Sequence, residues 1–111
     1  MDVSSIFNKD FYNIESEKIS LKLIDVYPNE NGDLPFYYWD IVLNSKNKSI
    51  GKISFRVGNN FHSYFNGNIG YEIDEEHRGH NYAGEACKLL FRVAKYHKMD
   101  FLYITCDVDN V

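Results

Sequence analysis

The chain of 111 residues has little cysteine and little proline, two of each, and it holds neither a cluster of basic residues nor a long apolar run. Two cysteines, Cys87 and Cys106, are too few for a disulfide framework and lack the spacing of metal ligands. Both read as reduced, small apolar packing residues, and no metal is expected. Twelve Lys and Arg against sixteen Asp and Glu give a formal charge of −4. Nucleic-acid partners demand a surplus of positive charge on one surface, so none is expected. No window is apolar for long enough to cross a bilayer, and the first residues, MDVSSIFNKDF, show no basic start followed by an apolar stretch. A cytoplasmic protein without a membrane partner is the expectation.

What is present describes a globule: 44% hydrophobic, 16% aromatic and 25% charged residues, in a length that suits one domain with its own core. Residues 17–27 alternate Ile19, Leu21 and Leu23 against Ser20 and Lys22, the period of a half-buried strand. A turn-rich loop at 28–35 (PNENGDLP) separates it from a second strand at 36–43 (FYYWDIVL), and a third follows at 50–57 (IGKISFRV). The short polar link between these two predicts an antiparallel hairpin. Trp39 and Tyr38 on the second strand are assigned to the core. A polar loop at 58–67 carries four rings, Phe61, His62, Tyr64 and Phe65, and a fourth strand is expected at 68–74 (NIGYEID).

From Tyr82 the period becomes helical, with Tyr82, Ala86, Leu89, Leu90, Val93, Ala94 and His97 on one stripe. Lys95 and Lys98 suit the negative end of that helix. A strand at 101–107 (FLYITCD) is apolar on both faces until its end, as a central strand is. A helix crossover with short connections places it parallel to the fourth strand. The expected fold class is α+β, a mixed, mainly antiparallel sheet with one βαβ unit, in a single domain.

Between the fourth strand and the helix stand ten residues, 77–86, HRGHNYAGEA. A loop leading into a helix N-terminus aims several unpaired backbone N–H groups one way, at the positive end of the helix dipole, which makes an anion site. Gly79 lets backbone approach a ligand, Asn81 tolerates left-handed geometry, and Arg78 adds a charged fork. On local pattern alone, a plain turn with a solvated arginine accounts for the same residues.

The segment GYEIDEEHRGHNYAGEACKLLFRVA resembles the coenzyme A motif of the GNAT acetyltransferase superfamily, a strand followed by Arg-x-x-Gly-x-Gly/Ala and an amphipathic helix. Arg78 takes the first motif position and Ala83 the last, while Asn81 stands where the pattern has glycine. The order of strands and helix is similar from residue 19 to residue 110. The resemblance implies acetyl-CoA as cosubstrate and transfer of its acetyl group to a primary amine. It implies that the pantetheine arm pairs with backbone around Ile73, Asp74 and Glu75. The pyrophosphate would then meet amides of Arg78, Gly79, His80, Asn81, Tyr82 and Ala83. Glu72 is the candidate general base, with a solvent-facing strand residue as the alternative. His80 fits a phosphate contact or a solvated side chain better than a base, and His62 fits packing better than an acceptor contact. Cys106 has no His–acid pair to make it a nucleophile. The loops at 28–35 and 61–65 are candidates for the acceptor side, with plain packing as the alternative.

The sequence stops at CDVDNV, where similar proteins continue into another helix and a closing hairpin. A chain of this extent is expected to be a truncated acetyltransferase, one completed by a second copy or partner through its exposed last strand, or a non-catalytic module that binds coenzyme A or dimerises.

Overall fold

Alternation decides which face of each strand is buried, and the computed structural model shows the result for residues 7–27, 35–58 and 68–99 and for the backbone of 104–106. Six strands form one sheet in chain order: β1 (Asn13–Glu15), β2 (Ile19–Tyr27), β3 (Phe36–Leu43), β4 (Lys48–Arg56), β5 (Ile69–Ile73) and β6 (Ile104–Cys106). All neighbours run antiparallel except β5 and β6, which are parallel and bracket the helix α1 (Tyr82–Tyr96). The α+β class and the mixed sheet with its βαβ unit are therefore as the sequence implies.

On β3, Tyr37, Trp39, Ile41 and Leu43 point to one side and are buried, with Tyr37 opposite Phe55 and Trp39 opposite Ile53 on β4. Ala86, Leu90, Val93 and Ala94 of α1 close the same core. The helix stripe is rotated from the expected one: Ala83 and Cys87 are buried, whereas Tyr82 and Leu89 lie at its margin, packed against the core. Small residues on the inner line allow the helix close to the sheet, and the large ones cover its flanks. Tyr38, assigned to the core with Trp39, instead sits half-buried on the opposite sheet face beside Tyr27, because its neighbours Tyr37 and Trp39 take the core side.

Strand β1 has only three residues, too short for a period to show in the sequence. A bulge between Ile41 and Val42 shifts the β3–β4 register, and β4 begins at Lys48 rather than at residue 50. Among the described residues no helix is long and apolar enough to cross a membrane, and no cluster of metal-ligating side chains occurs. Most of the loop at 28–35, the four-ring loop with His62, and the side chain of Cys106 lie outside the described residues.

Candidate functional site

Strand β5 ends at Ile73, and the chain then makes one 3-10 turn over Glu75–His77. The N–H of His77 donates to the Asp74 carbonyl at 2.9 Å and that of Arg78 to the Glu75 carbonyl at 3.3 Å, closing the turn. Two positive φ angles follow, +88° at Gly79 and +61° at Asn81. Gly79 is required for its angle and not for space, since a Cβ there would meet nothing within 4 Å. Asn81 reaches the left-handed region as the sequence implies, and α1 starts directly after it.

The helical ladder opens with the Glu85 N–H donating to the Asn81 carbonyl at 3.1 Å. The N–H groups of Tyr82, Ala83 and Gly84 therefore precede the first rung. Asn81 gives them no side-chain cap. They front a cleft of about 230 Å³ between the start of α1, the 78–81 loop and the core-side residues Tyr71 and Ile73 of β5.

Arg78 is half-buried in the cleft wall, its Nε donating to the Ile73 carbonyl at 2.9 Å. Its terminal nitrogens have no protein partner among the described residues, so a fixed guanidinium stands beside the uncapped helix end. Both carry the charge that a phosphate seeks.

Of the residues expected to hold a coenzyme, Ile73, Arg78, Gly79, Asn81, Tyr82 and Ala83 line this cleft. Asp74, Glu75 and His80 do not. The Asp74 N–H is already committed to the Ile50 carbonyl at 2.8 Å, and the exposed Asp74 and Glu75 face a separate shallow depression with Glu76. The exposed His80 ring lies 5.3 Å from the Tyr82 ring, outside the cleft.

Glu72 is exposed on the sheet face opposite Tyr71 and Ile73. It is paired in register with Lys52 of β4. The Lys52 ammonium is held by Asp40 at 2.6 Å, and that hydrogen bond raises its pKa. Glu72 thus belongs to a charged row on the far side of the sheet from the cleft.

Three cleft residues carried no signal strong enough to be singled out in the sequence: Tyr71, His77 and Gly84. Tyr71 shares the face of Ile73 and is found by alternation. The His77 side chain is 12% exposed, and its Nε2 is buried without a hydrogen bond, 3.5 Å from Glu76 Oε1. Only its tertiary surroundings reveal it. Gly84 is an isolated glycine in a helical pattern, which by itself asks for a packing reason.

The βαβ unit thus sets an uncapped helix start and a fixed arginine beside the carboxyl end of β5, an arrangement whose charge suits an anion. The family described as Acetyltransferase (GNAT) domain matches residues 7–111, and the chain belongs to it. No curated protein and no solved structure matches the chain. Membership supports acyl transfer at the level of the family.

Proposed function

We propose that the chain binds acetyl-CoA in the cleft at the end of β5 and passes the acetyl group to a primary amine of a small molecule or protein. The observation that carries this reading is the row of N–H groups ahead of the first rung of α1, facing a cleft that also holds Arg78. The pyrophosphate sits on those amides and the guanidinium, with the Gly79 backbone allowing close approach. Ile73 ends β5 and lines the cleft, and its backbone N–H is the group this reading gives to the pantetheine arm, its carbonyl being held by Arg78 Nε.

In the reaction the amine nitrogen attacks the thioester carbonyl carbon, the C–S bond breaks, and coenzyme A leaves with its sulfur protonated while the amine loses a proton. An amine of pKa about 10.4 is nearly all protonated at pH 7, which withholds roughly 4.6 kcal/mol of nucleophile. A base therefore helps. Glu72, the candidate base, stands on the sheet face opposite the cleft, so it takes the proton only of an amine that reaches the end of β5 from that face. A second reading, a coenzyme-binding module without catalysis, draws support from the placement of Glu72 outside the cleft.

Calorimetric titration with acetyl-CoA, at a concentration where light scattering has fixed the oligomeric state, is the test. It is followed by thiol release in the presence of a polyamine, an aminoglycoside and a peptide N-terminus. Saturation near one per chain with thiol release establishes the transferase. Saturation without release from any acceptor favours the binding module, and no binding at millimolar acetyl-CoA overturns both.

A further inference from the structure

Asn81 stands where a side chain ordinarily caps a helix by accepting from N–H groups two or three residues on. It makes no such bond. With φ 61° and ψ 25°, its carboxamide lies instead against Gly84. A Cβ on Gly84 would run into Asn81 Oδ1 and lie 3.0 Å from Cγ and 3.2 Å from Nδ2. Only glycine leaves that seat open. Glycine is a poor helix former, so its place in the first turn of α1 calls for a reason. Both residues line the cleft.

We propose that Gly84 is a positioning residue of the coenzyme cleft: it seats the Asn81 carboxamide against the helix and so keeps the first-turn N–H groups uncapped for the ligand's phosphates. This rests on the acetyl-CoA reading above. With a side chain at 84 the carboxamide must leave its seat. Turned out of it, the carboxamide oxygen can accept from the uncapped N–H groups of Ala83 and Gly84, two and three residues on, and so compete with phosphate for them.

The test is a cycle of acetyl-CoA affinities and melting temperatures for the unaltered chain, Gly84→Ala, Asn81→Gly and the double variant. Gly84→Ala is expected to weaken binding about tenfold, the scale of one charge-assisted hydrogen bond. In the Asn81→Gly background the same change is expected to leave affinity within about twofold, because no carboxamide remains to displace. A merely structural lesion at 84 lowers affinity and melting temperature alike in both backgrounds, and that result overturns the proposal. So does a Gly84→Ala chain that binds as tightly as the unaltered one. Where Gly84→Ala folds only together with Asn81→Gly, the double variant decides: affinity within about twofold of Asn81→Gly supports the proposal, and a larger loss overturns it. If the unaltered chain binds no acetyl-CoA, the coenzyme reading itself fails and takes this one with it; binding by the unaltered chain without the cycle's asymmetry removes Gly84 alone.

Discussion

Arg78 joins two functions in one side chain. Its Nε holds the Ile73 carbonyl at 2.9 Å, and its remaining nitrogens face the cleft. Replacing it with Ala is expected to weaken acetyl-CoA binding by about 1.5–3 kcal/mol, with a small loss of melting temperature from the orphaned carbonyl. Arg78→Lys keeps the charge and loses the fork, and should fall between the two. Calorimetry with either variant checks this, and unchanged affinity in Arg78→Ala takes the residue out of the site. Arg78, Gly79 and Asn81 were legible in the sequence because charge and tolerance of positive φ belong to the residue type. His77 and Gly84 were not, because what matters there is the neighbour each one meets.

At the scale of elements, the cleft depends on how closely β4 and β5 approach. A Cβ on Gly51 would strike the Glu72 carbonyl oxygen and lie 3.1 Å from the Ile73 Cα, and backbone cannot step aside as a side chain does. Gly51→Ala is therefore expected to cost about 1–3 kcal/mol in denaturant unfolding. Since β5 carries Ile73 into the cleft, coenzyme affinity should fall in the same variant. Under the helix, Leu90 of α1 is fully buried in the core, and Leu90→Ala is expected to lose about 2–5 kcal/mol. A Leu90→Ala chain with undiminished stability would mean that α1 does not pack as described. The strands at 36–43 and the start of α1 at Tyr82 were readable from period alone. The rotation of α1 that buries Ala83 and Cys87 was not, because it is set by the sheet beneath the helix.

Across the whole molecule, one partly buried polar chain ties three distant parts together. The Asn8 N–H donates to the Tyr37 hydroxyl at 2.8 Å, and that hydroxyl lies 2.9 Å from His97 Nε2 at the end of α1. The Phe7 ring meets Tyr37 edge-on at 5.0 Å, and the Trp39 indole N–H donates to the Phe11 carbonyl at 2.8 Å, so the N-terminal segment is fastened to β3. Burial pushes the Tyr37 phenol up to about 12 and draws His97 below its ordinary value, so both are neutral near pH 7. For His97 the unfolded chain binds the proton more readily than the folded one. Its contribution to stability is complete above about pH 6.5 and is lost as pH falls through the lower folded value. Melting temperature should decline on acidification below that point, and His97→Phe should flatten the decline while lowering the value at pH 7. A profile unchanged by the substitution would assign the acid sensitivity to other groups.

The sequence by itself determined the alternating strands, the helix period, the left-handed loop and the likeness to a family, because these depend on spacing and residue type over a few positions. The tertiary structure decided that Glu72 faces away from the cleft, that Asn81 rests on Gly84 and that Tyr37 meets His97 across sixty positions. Such pairings follow from sheet register and the angle at which α1 lies on the sheet. Both are fixed by long-range packing that no local pattern encodes.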